Sequence, residues 1–302
     1  MTASLKQSAP LGRRMIRRVD MTRVPPGEIR HAVFDFDGTL SLLRVGWQQI
    51  MTDYFDEVLA ATQADESAST RHQQCVHFIT RLTGRQTIYQ CLELADQVTS
   101  RGGTPLPAEH YKEEYLRRLH AFIEYRRQSL ASGGSPDAYL VPGTLELLER
   151  LREREITCYL ASGTDVAFVR QEAELLGIDD FFTDGESARI YGALADYRKF
   201  SKRMVIERIL KDHGIAGATL VGFGDGYVEI EETLRVGGWA IAIASDESSV
   251  DENEPNHEDG RIDEARMDPW KQERLWQVGA HVLTPDWQEV HALLAHLGLG
   301  ND

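Results

Sequence analysis

The hydrophobic pattern of this 302-residue chain changes character three times. It opens as a short apolar run, His31-Ala32-Val33-Phe34, that stops abruptly at Asp35-Phe36-Asp37-Gly38-Thr39-Leu40. A continuous β-prone run with that ending reads as a buried parallel strand whose carboxyl end meets an open crevice. From Arg44 to about Tyr139 the apolar spacing becomes helical. Trp47, Ile50, Met51, Tyr54, Phe55, Val58 and Leu59 recur at threes and fours, as one stripe of a helix does. Thr62 to Thr70 is small and polar and predicts a loop. A second helix around Cys75 to Leu82 ends at Thr83-Gly84, a third runs from Ile88 to Val98, and a fourth from Tyr111 to Leu130. Ala131-Ser132-Gly133-Gly134-Ser135-Pro136 is the clearest linker.

After that linker, strand and helix alternate. Thr157 to Leu160 predicts a strand ending at Ala161-Ser162-Gly163-Thr164, and Asp165 to Leu176 a helix closed by Gly177. Asp184-Gly185 predicts a hairpin between Phe181-Phe182-Thr183 and Ala188 to Tyr191. A helix from Ser201 to His213 precedes a strand, Thr219 to Phe223, that ends at Gly224-Asp225-Gly226. Further strands fall at Trp239 to Ala244 and His281 to Leu283, and residues 245 to 266 read as an acidic surface loop. The expected fold class is therefore α/β, a doubly wound parallel sheet with an inserted helical domain. Its parts are a basic N-terminal arm (1–30), the α/β core (31–44 and 137–302) and the helical insert (45–136).

Composition narrows the function classes. Hydrophobic content of 42% and charged content of 27% are those of a globular protein, and no apolar run is long enough to span a bilayer. A net charge of −15 argues against nucleic acid as partner, though not against a small anionic substrate beside a metal. Cys75, Cys91 and Cys158 are scattered and odd in number, which fits a reducing, cytoplasmic compartment without a disulfide framework. The first thirty residues carry Lys6, Arg13, Arg14, Arg17, Arg18, Arg23 and Arg30 against only Asp20 and Glu28. They read as a loosely held arm lying on the acidic body.

Asp35 and Asp37 are two apart, so in an extended chain both carboxylates begin on one face, and Gly38 lets the backbone turn straight after them. Two such carboxylates repel unless neutralised, and a hard cation such as Mg²⁺ is the natural partner. Asp35-Phe36-Asp37-Gly38-Thr39 resembles the first motif of the haloacid-dehalogenase-like superfamily, mostly phosphatases and phosphotransferases. Ser162, Lys202 and Asp225 then follow in the order of the remaining three motifs. The resemblance implies Asp35 as nucleophile, Asp37 as general acid and base, and Mg²⁺ held by Asp35, the Asp37 carbonyl and Asp225. It also implies that Ser162, Gly163 and Lys202 hold phosphoryl oxygens, with Thr39 beside them. Asp37 itself points to a phosphate ester, because dehalogenases and phosphonate-cleaving members lack an acid there. The fourth motif departs from the family: where a second Asp is common, Glu229 stands four residues after Asp225, and its longer side chain could still reach the metal through water or the substrate.

The insert resembles the helical cap of β-phosphoglucomutase-like and phosphoglycolate-phosphatase-like members. In such caps the turn Arg81-Leu82-Thr83-Gly84-Arg85-Gln86-Thr87 faces the site, so Arg85 is a candidate for a substrate carboxylate, hydroxyl or second phosphate. Arg44 and Trp47 either line the pocket or merely start the first cap helix. The expected activity is a Mg²⁺-dependent phosphatase acting on a small phosphorylated metabolite. A phosphomutase on the same machinery and a non-catalytic phosphate-binding protein are the alternatives.

Overall fold

The computed structural model describes residues 8–19, 28–62, 64–185, 187–194, 196–245 and 267–300. Its strands are β1 (Ser8–Pro10), β2 (Ile16–Arg18), β3 (His31–Phe34), β4 (Thr157–Asp165), β5 (Thr183–Asp184), β6 (Ser187–Ala188), β7 (Ile190–Ala193), β8 (Leu220–Gly224), β9 (Trp239–Ile243) and β10 (Val282–Thr284). The helices of the insert are α1 (Trp47–Ala60), α2 (Ala68–Arg81), α3 (Ile88–Ser100) and α4 (Ala108–Ala131). The core helices are α5 (Thr144–Arg152), α6 (Val166–Leu175), α7 (Lys202–His213), α8 (Tyr227–Arg235), α9 (Pro269–Val278) and α10 (Val290–His296).

The main sheet runs β1-β2-β10-β9-β8-β3-β4-β7, with every pair from β10 to β7 parallel. Strand β3 lies inside it, with all four residues buried as a strand covered on both faces requires. Phe34 stacks on Phe223 of β8 with ring centroids 4.5 Å apart, and Trp287 meets Phe223 edge-on. Because β3, β4 and β8 are parallel neighbours, their carboxyl ends open on one rim, where the crevice of such sheets binds ligands. Strand β4 outruns the predicted stretch, continuing to Asp165 through an irregular register against β7. The Asp184-Gly185 hairpin forms between β5 and β6, and the chain then leaves it to join the main sheet as β7.

The four cap helices bury a core of their own, including Met51, Phe55, Phe78, Leu94 and Leu119. Helix α2 begins at Ala68, inside the predicted loop, because the Ser67 side chain accepts a hydrogen bond from the Thr70 N–H. The three cysteines are free thiols, all buried. The first cap connection is gripped by buried Arg126 of α4, which donates to the carbonyls of Leu43 (3.0 Å) and Val45 (2.7 Å).

The N-terminal arm departs from expectation. Residues 8–18 are not loose: β1 and β2 form an antiparallel hairpin, and β2 pairs antiparallel with β10. The physical reason is a match of edges and charges. An uncovered β10 would present unpaired backbone groups, and the arm's arginines meet acids near the far end of the chain. Arg14 forks onto Asp286 (2.6 and 3.0 Å), while Glu289 accepts from the Arg13 and Arg14 N–H groups. Arg18 lies over the Trp276 ring at 4.4 Å. The acidic stretch expected as a surface loop falls, from residue 246 on, outside the described residues.

Candidate active site

Asp35, Lys202 and Asp225 sit where a strand or helix end aims them at the rim, and Ser162 within β4 just beyond its pairing with β3. Asp35 follows β3 directly and is buried. Gly38 adopts a φ of 75°, the left-handed turn that swings the chain away after Asp37. Lys202 opens α7 behind the Ser201 N-cap and is buried, with its Nζ 2.8 Å from Asp35 Oδ1 and 2.9 Å from Glu229 Oε2. Lys199, the other lysine near this helix start, is exposed and pairs with Asp196 instead. Ser162 is buried, and its oxygen accepts from the Thr164 N–H at 3.0 Å, which leaves its own O–H to donate into the cavity. Asp35, Asp37, Ser162, Gly163, Lys202, Asp225 and Arg85 all line one cavity of about 80 Å³ between core and cap.

The charges are strongly coupled. Burial pushes the Asp35 carboxyl well above its ordinary value; Lys202 opposes this, while Glu229 and Asp225 add to it. Burial also raises Asp37, against the pull of Arg44 and a hydrogen bond from Thr164. Burial would lower Lys202, but the Asp35 and Glu229 charges overcome it and hold the ammonium firmly protonated. Asp35, Asp225 and Glu229 bring ligand oxygens within 4.8 Å of one another. Asp35 and Glu229 are buried and Asp225 half-buried, and hard-oxygen donors this close fit a divalent cation.

Two expectations change. Thr39 does not line the cavity: it is fully buried, its hydroxyl accepting the Asp225 N–H (3.0 Å) and its carbonyl the Trp287 indole N–H (2.8 Å). It ties the loop after β3 to the loop after β8. Glu229 does not line the cavity either. It accepts from Lys202 and from the Gly226 N–H (2.6 Å) at the start of α8, so it braces the lysine and the turn that carries Asp225. Lys202 and the backbone donor hold its carboxyl below the usual range despite burial. Arg85 reaches the cavity only at its exposed rim, where its Nε donates to the Tyr227 hydroxyl (3.1 Å).

Sequence reasoning missed a second layer of charge. Arg44 and Trp47, left open between two roles, both line the cavity. Buried Arg44 forks onto fully buried Glu172 of α6, both contacts at 2.8 Å, and lies 3.7 Å from Asp37 Oδ1. Thr164 donates to Asp37 Oδ2 at 2.8 Å. The signal for Glu172 was present, since it sits on the apolar face of its helix with Val169 and Ala173. Lys271 of α9, 3.0 Å from Asp225 Oδ2, had none, because it arrives from beyond the acidic stretch.

The insert is hydrogen-bonded to core elements beside this cavity. Gln86 donates to the carbonyls of Tyr197 (3.0 Å) and Phe200 (2.7 Å), and Arg274 of α9 donates to those of Thr80 (2.7 Å) and Arg81 (3.1 Å) at the end of α2. A Cβ on Gly163 would come within 2.8 Å of the Arg85 carbonyl, so glycine is what lets the cap loop approach.

Among solved structures, a predicted phosphatase from Clostridium acetobutylicum is similar at a TM-score of 0.55 and 14% identity, over 89% of this chain and 99% of that one. A HAD family hydrolase from Deinococcus radiodurans, with bound phosphate and sodium, matches at 0.51 and 16% over 91% and 98%. A β-phosphoglucomutase from Clostridium difficile matches at 0.51 and 15% over 71% and 84%. No curated protein matches in sequence. At these identities the likeness speaks for the fold. Residues 29–237, which contain all four motifs and the cap, match the family of haloacid dehalogenase-like hydrolases, and the chain belongs to it.

Proposed function

We propose that the protein is a Mg²⁺-dependent phosphatase of small phosphorylated metabolites, working through an aspartyl-phosphate. The observation that carries this reading is the pairing of two carboxyls with different surroundings. Asp35 is clamped by Lys202 at 2.8 Å, whereas Asp37 is held by Thr164 at 2.8 Å. Environments that separate two acids assign them separate roles.

In this reading an Asp35 oxygen attacks phosphorus as the ester P–O bond breaks, and Asp37 gives its proton to the leaving oxygen. Its raised affinity for a proton, caused by burial, suits an acid that must be charged with one beforehand. Asp37 then takes a proton from the water that attacks the phosphoaspartate, releasing phosphate and restoring Asp35. Lys202 and the Ser162 hydroxyl hold the phosphoryl oxygens. Asp35, Asp225 and the Asp37 carbonyl would hold Mg²⁺, which when bound supplies the positive charge that favours ionised Asp35.

The test is phosphate release with Mg²⁺ from an aryl phosphate and a panel of metabolite phosphates. Asp35→Asn should lose several orders of magnitude, and Asp37→Asn about 10²–10⁴-fold. Near-normal rates for Asp35→Asn would refute the covalent mechanism, and undiminished rates in excess chelator the metal.

A further inference from the structure

The connection from the core into the insert carries a side chain that acts back on the core. Arg44 stands in it, forked onto Glu172 of α6 and 3.7 Å from Asp37 Oδ1. That Asp37 oxygen has no hydrogen-bond partner among the described residues, so the Arg44 guanidinium is the charge it meets. How far the guanidinium reaches depends on where the Arg44 backbone is held, and that backbone is held from the insert.

Arg126 of α4 donates to the carbonyls of Leu43 (3.0 Å) and Val45 (2.7 Å), the two residues that flank Arg44. The Arg44 carbonyl between them accepts the Trp47 N–H (3.0 Å) at the start of α1. Carbonyls 43, 44 and 45 are thus all engaged by groups of the insert. One turn before Arg126, Phe122 packs so closely on Gly46 that a Cβ there would lie 2.8 Å from the ring. Gly46 also holds a φ of 95°, a second reason for glycine at this join.

Arg126 is only 1% exposed, and no ion pair answers it among the described residues. Burying a cation without a carboxylate is costly. The two carbonyls offset part of that cost, as do the rings of Phe122 (5.1 Å) and Tyr125 (5.5 Å). An apolar side chain would pack α4 without burying a charge, so stability alone does not call for an arginine here.

From this geometry we infer that Arg126 is a positioning residue for the reaction: acting from the insert, it fixes the backbone on both sides of Arg44 and so sets the guanidinium against Asp37. This role rests on the phosphatase reading and deepens it. The insert then supports proton transfer in the core even for an ester that makes no contact with it.

The test uses the full chain with Mg²⁺ and p-nitrophenyl phosphate. Arg126→Met should lower kcat per folded molecule by about 10–100-fold and leave KM within about 3-fold, as a misplacement of roughly 1 Å beside the reacting atoms does. In an Arg44→Met background the same change should cost less than about 3-fold more, because the residue it acts through is already gone. A merely structural arginine would destabilise both backgrounds alike and leave kcat per folded molecule unchanged. Arg126→Lys keeps the charge without the planar fork, should give an intermediate kcat, and serves where Arg126→Met yields no soluble protein. A second readout needs no turnover. The Arg44 Nε–H, buried against Glu172, is identified in an NMR spectrum by its loss in Arg44→Met, and it should shift or exchange faster in the Arg126 variants. Near-normal kcat, losses that add in full to those of Arg44→Met, or an unmoved Arg44 signal would each overturn the inference. If the signal moves while no form gives Asp35-dependent phosphate release, the phosphatase reading falls and takes the catalytic role with it.

Discussion

Arg44→Met tests whether the buried charge layer beneath Asp37 is a single unit. The guanidinium forks onto Glu172 through two contacts of 2.8 Å, and the two side chains are 5% and 0% exposed. Burial alone would weaken the Arg44 proton; Glu172 and then Asp37 more than reverse this, so it is always charged. Removing it leaves Glu172 as an uncompensated buried anion near a second carboxylate. Breaking one side of such a pair costs about 3–5 kcal/mol, whereas replacing both partners with apolar groups of similar volume is often near neutral. Urea unfolding should therefore show Arg44→Met less stable by about that amount, and Arg44→Met/Glu172→Leu recovering most of it. Phosphatase turnover should stay depressed in the double variant, because Asp37 loses the guanidinium 3.7 Å away. A single-variant loss under about 1 kcal/mol, as for an exposed pair, would refute the argument. So would a double variant no more stable than the single.

Three further outcomes follow from the same geometry. Lys271→Gln leaves Asp225 without its 3.0 Å ammonium, so saturating Mg²⁺ should raise the melting temperature more in this variant than in wild type; equal shifts would sink the metal site. Gln86→Leu strips the donor from two carbonyls, at a cost of about 1–3 kcal/mol each in a buried setting, and amides of residues 82–90 should exchange faster; unchanged protection would show that other contacts hold the cap. Burial, then His213 and Arg30, hold the His31 imidazole below its ordinary 6.5, so the unfolded chain binds the proton first as pH falls. Its contribution is then present above pH 6.5 and lost below it, and His31→Gln should flatten the fall in melting temperature between about pH 7 and 5.5; parallel curves would refute this.

The acids and the lysine were legible because a parallel strand or a helix start fixes where its end residue points. Once Asp35 and Asp225 stood just past β3 and β8, and Ser162 in the part of β4 beyond its pairing with β3, the sheet itself brought them together. What could not be read was partnership across elements. Nothing in the spacing says that Glu229 braces Lys202 or that Glu172 answers Arg44 across 128 positions. Thr39 looked like a substrate contact because the motif ends there, yet its hydroxyl was needed to join two loops. The N-terminal hairpin was hidden for another reason: β1 and β2 are three residues each, with arginines in an apolar-poor run, and become strands only because β10 offers an edge.

That hairpin also imposes an order on synthesis. Arg17 pairs with Val282, so this segment, once made, waits for a strand made some 260 residues later. At about 5–20 residues per second the delay is roughly 13–50 s. The central strand β3 meets the same kind of delay, since its partners β4 and β8 lie far downstream. The cap is different: its four helices are contiguous in sequence and share a separate core, so it can fold while the sheet is still being made. The nascent protein therefore passes through a stage in which the helical insert is folded and the sheet is not, and the clasp of Arg14 on Asp286 forms only after the sheet's far strands are made.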